Sequence, residues 1–278
     1  MARLVWDQVG EKIYETGTNH GVLYPSNGAS YNKGVAWNGL TGVTDSPSGA
    51  EITSLYADNI KYANLQSAEE WGGTIECYTY PEEFMECNGV KEVADGVFIG
   101  QQTRKSFGFV YETIKGNDTA GQAYGRKIHI VYGCLTSPSE KSYTTVNDSP
   151  DAITFSFEIK ATPVNVTGYN PTATIEIDST FTTAEKFKLI EDKLFGSDGV
   201  LTYVEFEGDA FAVGVTYYER TGAGTEQSPY VYTPTQDTVY NSSKTYYTKE
   251  TVGANDPTLL MPDEIVALLG NTQTPGQG

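Results

Sequence analysis

Residues 152–160 alternate with period two: Ile153, Phe155, Phe157 and Ile159 on one side, Thr154, Ser156, Glu158 and Lys160 on the other. Successive side chains of a strand point to opposite faces, so this stretch reads as a half-buried β-strand. Ala173, Ile175 and Ile177, alternating with Thr174, Glu176 and Asp178, repeat the pattern. The turn-rich link from Pro163 to Pro171 predicts that these two strands form an antiparallel pair. Phe107-Phe109-Tyr111 and Ile128-Ile130-Tyr132, each alternating with small or polar residues, add two more. With 29 Gly and 12 Pro to supply turns, the chain reads as mainly β, an antiparallel sandwich or barrel.

Two helices are expected beside the strands. Thr182 and Glu185 have the spacing of a capping box, Phe187, Ile190 and Leu194 recur at helical period, and Gly196 ends the run. Pro262-Asp263-Glu264 opens a C-terminal helix with apolar residues Ile265, Leu268 and Leu269 and a stop at Gly270. Residues 271–278 read as a flexible polar tail.

Between the helices the texture changes. Thr216-Tyr217-Tyr218-Glu219-Arg220 is echoed by Thr245-Tyr246-Tyr247-Thr248-Lys249, with Tyr230-Val231-Tyr232-Thr233 between them. This predicts a small β-module over 200–257 inserted into a main domain of 1–199 plus 258–270, an arrangement cheap in closure entropy. The tyrosines fit two roles: packing of a thin module, or an exposed surface for sugars or protein.

Charge and chemistry narrow the function. Against 18 Lys and Arg stand 36 Asp and Glu, a formal net charge of −18. Such a chain lacks the cationic grip that neutralises phosphates, although it can repel DNA; the same charge also keeps an abundant protein soluble. Cys77, Cys87 and Cys134 form no CxxC pair, which argues against a disulfide framework or a zinc site. No signal-peptide core and no long apolar run is present, so synthesis in a reducing cytosol without membrane insertion is expected.

His20 and His129 are the only histidines, and no GxSxG elbow, HExxH, P-loop or GxGxxG unit accompanies them. Alternation places His129 opposite Ile128 and Ile130, on a face expected to be solvated. Acidic pairs such as Glu69-Glu70, Glu82-Glu83 and Asp148 with Asp151 meet a glycosidase's minimal need, but among 36 acids such pairs arise by chance. The expectation is a non-enzyme without catalytic residues, cofactor or metal.

Several longer runs carry a family resemblance. They are Val35-Ala36-Trp37-Asn38-Gly39-Leu40-Thr41-Gly42-Val43, Ser46-Pro47-Ser48-Gly49-Ala50-Glu51 and Tyr56-Ala57-Asp58-Asn59-Ile60-Lys61-Tyr62. Ser67-Ala68-Glu69-Glu70-Trp71 leads into Ile75-Glu76-Cys77-Tyr78-Thr79-Tyr80-Pro81, and Ile99-Gly100-Gln101-Gln102-Thr103-Arg104-Lys105 follows. Ser137-Pro138-Ser139-Glu140-Lys141, Asn147-Asp148-Ser149-Pro150 and Leu260-Met261-Pro262-Asp263-Glu264 extend the match. Together they resemble the major tail proteins, or tail tube proteins, of long-tailed, non-contractile phages infecting Firmicutes, over about 15–196 and again at 260–264. The Tyr-rich insert departs from the basic pattern.

The resemblance implies a tail-tube β-sandwich with a flanking helix and a long hairpin or loop reaching to neighbours. It implies stacked, typically hexameric rings forming a virion tail tube, made in the host bacterial cytoplasm. Implied partners are other copies of the chain, the tape-measure protein, and tail terminator and distal tail proteins. Double-stranded DNA would pass through transiently and without specificity. For the inter-subunit loop the Gly/Pro-rich segment is the candidate, with Asn38, Gly39, Thr44, Asp45, Ser46, Pro47 and Glu51. Lumen-facing positions are expected to be mainly Asp, Glu, Ser, Thr and Asn, and the insert is expected on the tube exterior. Two alternatives stand beside this: a carbohydrate-binding β-sandwich, and the inner tube of a contractile injection machine.

Overall fold

A computed structural model describes residues 3–28, 30–145, 151–225 and 227–270. The Asn147-Asp148-Ser149-Pro150 run and the 271–278 tail lie outside them. The described residues fall into two compact units, one from the chain up to Phe195 and from Asp256 onward, the other Gly196–Asn255.

The first unit opens with β1 (Ile13–Pro25), β2 (Val35–Trp37), β3 (Leu40–Asp45), β4 (Ser48–Gly49) and β5 (Ile52–Ala57). There follow β6 (Ile60–Gln66), β7 (Glu69–Glu70), β8 (Gly72–Cys77), α1 (Phe84–Cys87), β9 (Lys91–Ala94) and β10 (Val97–Ile99). The rest comprises β11 (Phe107–Asn117), β12 (Gly121–Thr136), β13 (Phe155–Lys160), β14 (Thr174–Asp178), α2 (Ala184–Leu194) and, after the second unit, α3 (Pro262–Leu269).

The main sheet runs β2-β1-β11-β12-β13-β8-β3, with β14 also on β12, and every pairing is antiparallel. The fold is therefore mainly β and consistent with a sandwich. It bends into two layers at β12. One edge of β12 follows β11; the other pairs with β14 from Lys127 to Val131 and with β13 from Leu135. Gly133 lies between these partners with φ +57, and a Cβ there would meet the Thr162 carbonyl oxygen at 2.6 Å. Only glycine meets both demands without strain.

That shared edge overturns the expected β13–β14 pairing. Both strands bond to β12 instead, and β13 also bonds to β8. The 152–160 strand begins at Phe155, and Ile153 is 37% exposed rather than in the core.

Two apolar clusters fill the layers. α2 and α3 cover one face of the β1-β11-β12-β14 layer, where Val110, Ile128, Ile130 and Ile177 meet Phe187, Ile190, Leu194 and Ile265. The β3-β8-β13 layer covers part of the opposite face, where Phe107, Phe109 and Val131 meet Trp37, Ile75, Phe84, Phe157 and Ile159. Phe84 sits among the rings of Trp37 at 4.5 Å, Phe157 at 4.8 Å and Phe107 at 5.6 Å. Central strands are thus buried on both sides, as in Val22-Leu23-Tyr24, rather than half-buried as alternation alone suggests.

The helices form where expected, with one shift. The α2 cap is Thr183, whose hydroxyl accepts from the Lys186 N–H, and not Thr182. At α3 the Glu264 carboxylate accepts from the Met261 N–H at 2.7 Å.

The second unit holds β15 (Val200–Glu205), β16 (Tyr217–Thr221), β17 (Val231–Pro234) and β18 (Tyr247–Val252), in the order β15-β18-β16-β17. The echoed Thr-Tyr-Tyr segments are neighbours here: Tyr218 faces Tyr247 and Tyr217 faces Thr248.

Candidate assembly surfaces

Three pairings, β3–β8, β4–β7 and β5–β6, make residues 40–77 one long hairpin. From Asp45 to its apex it rises roughly 40 Å at about 3.4 Å per residue. The apex is Asp58-Asn59, both with positive φ (51° and 64°), as a primed two-residue turn requires and as Asx residues tolerate best. β5 and β6 pack chiefly on each other. Their apolar side chains Ile52, Leu55, Tyr56, Ile60, Tyr62 and Leu65 are 40–74% exposed. The register distributes them over both faces of the hairpin, and large apolar groups left exposed together on a protruding element suit an interaction site.

Of the residues expected in an inter-subunit loop, Thr44, Asp45, Ser46, Pro47 and Glu51 fall on this hairpin and Asn38 and Gly39 immediately precede it, but they do not form an irregular loop. Asn38 and Gly39 make the tight turn into β3, with Gly39 at φ +72. Thr44 and Asp45 end β3, and Ser46 and Pro47 bridge it to β4, where the Ser46 N–H donates to the Gly72 carbonyl at 2.7 Å. Glu51 precedes β5 and exchanges backbone and hydroxyl hydrogen bonds with Ser67. The exposed apolar tip beyond Glu51 escaped the sequence reading; its signal was Asp58-Asn59 between two strand-length segments.

The layer β13-β8-β3 has a second distinctive surface. Ile75, Cys77, Phe157 and Ile159 point into the core, so their alternates share the opposite face: Gly42, Thr44, Thr74, Glu76, Ser156, Glu158 and Lys160. Glu76, Glu158 and Lys160 are exposed. β3 is the last strand of the path, which leaves one of its edges open to another strand.

His129 is 8% exposed, a correction to the solvated position expected for it. Its ring stacks on Tyr111 at 4.6 Å, with Nε2 2.9 Å from Thr113 Oγ1 and Nδ1 3.7 Å from Glu176. The row Thr113–His129–Glu176 resembles a nucleophile–base–acid triad. However, the Thr113 hydroxyl donates to Glu15 at 2.5 Å, so its oxygen accepts from Nε2–H, which leaves no lone pair there to serve as base. His20, in the irregular part of β1, has Nδ1 2.9 Å from Glu112, whose burial raises its pKa. Among the described residues no cluster of three His, Cys, Asp or Glu is arranged to hold a metal ion. No described helix is long and apolar enough to cross a membrane.

Burial lowers the His129 pKa, and the facing carboxylates of Glu176 and Glu15 only partly offset it. Below about pH 6.5 the unfolded chain therefore takes up this proton more readily than the native state, and native stability falls. We expect His129→Gln to reduce the loss of Tm between pH 7.5 and 5.5; an unchanged or steeper loss would contradict this assignment.

The tyrosines of the second unit face one another. Tyr203 and Tyr232 stack at 4.0 Å with planes 2° apart, although their strands lie at opposite ends of the sheet order. The sheet must curl to bring them together. Tyr218 packs edge-on to Tyr203 and Tyr247 edge-on to Tyr232, while Arg220 covers Tyr230 and Tyr247. On the other face Phe206, Phe211, Tyr217, Tyr240 and Tyr246 form a second aromatic group. Ring faces committed to one another are poor platforms for sugar rings, so the geometry favours packing.

The model of the family described as phage tail tube protein matches residues 27–202, well over half of the chain. No curated protein matches it. The matched span contains the whole 40–77 hairpin and the open polar sheet, and it stops within β15, before most of the Tyr-rich module. On this match the chain belongs to the phage tail tube proteins, a family of structural components of the virion tail.

Proposed function

We propose that this chain forms stacked hexameric rings, the tail tube of a non-contractile, long-tailed phage, and that the tube conducts double-stranded DNA. The observation that carries this is the 40–77 hairpin, which exposes an apolar tip and packs chiefly on itself. Six side chains of this kind gain about 1.5–3 kcal/mol each when fully buried, which favours a partner strongly. Rings close laterally through sheet edges, with β3 and its residues Thr44 and Asp45 at one junction. Repetition of one heterologous contact then gives a tube of indefinite length, so a tape-measure protein sets the length, and terminator and distal tail proteins cap the ends.

The polar face of β13-β8-β3 lines the bore in this reading. Supporting this, its exposed charges are Glu76 and Glu158 against Lys160, and its remaining positions are Thr, Ser and Gly. Sixfold repetition gives an acidic wall that repels phosphates within a Debye length of about 8–10 Å, which keeps the DNA mobile. The chain is made in the host cytoplasm and assembles there.

Negative-stain electron microscopy of the purified protein at low and high concentration tests the proposal. Hollow tubes or stacked rings are expected; a protein that stays monomeric at every concentration and with tail-tip complexes added would overturn it. The 196–255 module is assigned to the tube exterior. Deleting 198–254, so that Ser197 joins Asn255, should leave tube diameter and helical repeat unchanged, and loss of tubes by a folded variant would refute the placement.

A further inference from the structure

The pair Asn-Gly occurs three times, at Asn27-Gly28, Asn38-Gly39 and Asn88-Gly89. Glycine has no side chain to shield its peptide nitrogen from the carboxamide of the residue before it. The three pairs differ in what already holds these groups. The Asn27 carboxamide accepts from the Ser30 N–H at 2.8 Å and donates to Ser30 Oγ at 3.1 Å, while the Gly28 N–H donates to Ser26 Oγ at 3.1 Å. Gly89 is buried just after α1, and its N–H donates to the Glu86 carbonyl at 3.2 Å. Asn38 and Gly39 are both exposed. Among the described residues neither the Asn38 carboxamide nor the Gly39 N–H has a hydrogen-bond partner.

We propose that Asn38 is a site of spontaneous, intramolecular deamidation, which converts the turn leading into β3 to aspartate and isoaspartate. The Gly39 nitrogen gives up its proton to base and bonds to the Asn38 side-chain carbonyl carbon. The bond from that carbon to the amide nitrogen breaks, and ammonia leaves, taking its third proton from water. The resulting five-membered succinimide adds water, and opening at either carbonyl gives aspartate or isoaspartate. Water is consumed and ammonia released, with no oxidation or reduction.

Isoaspartate lengthens the main chain by one atom, in a turn that is fixed on both sides. Before it, Trp37 is buried and its Nε1–H donates to the Thr79 carbonyl at 3.0 Å. After it, the Gly39 carbonyl accepts from the Tyr78 N–H at 2.8 Å, and Leu40 faces Cys77 in the ladder. The extra atom displaces Gly39 from Tyr78 and loosens the start of β3. A virion subunit is not replaced after assembly, so the converted fraction grows with the age of the particle.

Peptide mapping of the full-length chain, held in mildly alkaline buffer and sampled over time, tests the assignment. Trypsin places the three Asn-Gly pairs in separate peptides, ending at Lys33, Lys61 and Lys91. Electron-transfer fragmentation tells isoaspartate from aspartate. In the native chain Asn38 should convert about threefold faster or more than Asn27 and Asn88, whose attacking nitrogens must first release a hydrogen bond. In denaturant the three rates should converge. Ageing should lower the Tm of the parent and leave that of Asn38→Gln where it began. An unmodified Asn38, or equal native rates at the three pairs, would overturn the site. A lead for Asn38 that persists in denaturant would overturn its structural cause, and an unchanged parent Tm at full conversion would overturn the loosening of β3. None of these results bears on whether the chain forms tubes.

Discussion

Replacing residues 51–67 with Asn-Gly is expected to abolish tube formation while leaving a folded monomer. Ala50 and Ala68 already face each other, the Ala50 N–H donating to the Ala68 carbonyl at 3.2 Å, so a two-residue primed turn can close the shortened hairpin. What is lost is the apolar tip, not a core: Ile52, Leu55, Tyr56, Ile60, Tyr62 and Leu65 are exposed in the single chain. Even partial burial of this set against neighbours is worth several kcal/mol, and each 1.4 kcal/mol changes an association constant about tenfold. Circular dichroism of the variant should match the parent, and electron microscopy at high concentration should show no tubes. Normal tubes from the shortened chain would place the assembly contacts elsewhere.

Phe84→Ala is expected to cost about 3–5 kcal/mol of stability, the usual range for removing a fully buried aromatic ring. Phe84 has no exposed surface, and it packs against Trp37, Tyr80, Phe107 and Phe157 where α1 meets the two strand layers. The measurement is best made in the tip-shortened background, where assembly does not add to apparent stability. All three tryptophans, Trp6, Trp37 and Trp71, precede the Tyr-rich module, so their fluorescence follows the first unit separately. At about 2–4 °C per kcal/mol for a domain of this size, the midpoint should fall by roughly 10 °C. A shift of only a few degrees would mean that neighbouring rings collapse into the space.

Much of the fold could be read from side-chain periodicity. Phe155-Phe157-Ile159 and Ile175-Ile177 announced strands, and Phe187, Ile190 and Leu194 announced α2, because one-sided burial writes a period into the sequence. Periodicity says little about which strands pair. β13 and β14 are consecutive strands, yet the bend at Gly133 brings both to β12. Nor does it reveal burial on both faces, since Glu112 reads as a solvent-facing residue while being 2% exposed.

The hairpin was the hardest part to read. Ser46-Pro47-Ser48-Gly49 looks like a loop, and Ile52-Thr53-Ser54-Leu55-Tyr56 has no clean alternation because neither face is buried within the chain. Strands shaped for a neighbour lack the pattern that strands shaped for their own core carry. Cys77, Cys87 and Cys134 are all free and buried.

The Tyr-rich unit begins and ends at a single hydrogen-bonded pair: the Ser197 N–H donates to Asn255 and the Asn255 N–H returns to Ser197, at 3.0 and 3.1 Å. A sequence that leaves and rejoins its host at adjacent backbone positions behaves as a cassette. Its length and content can change without altering the spacing the host must bridge, and loop-closure entropy penalises such changes only logarithmically. An unrelated domain whose own termini lie side by side could be spliced at this pair, turning a repeating polymer into a densely decorated display lattice.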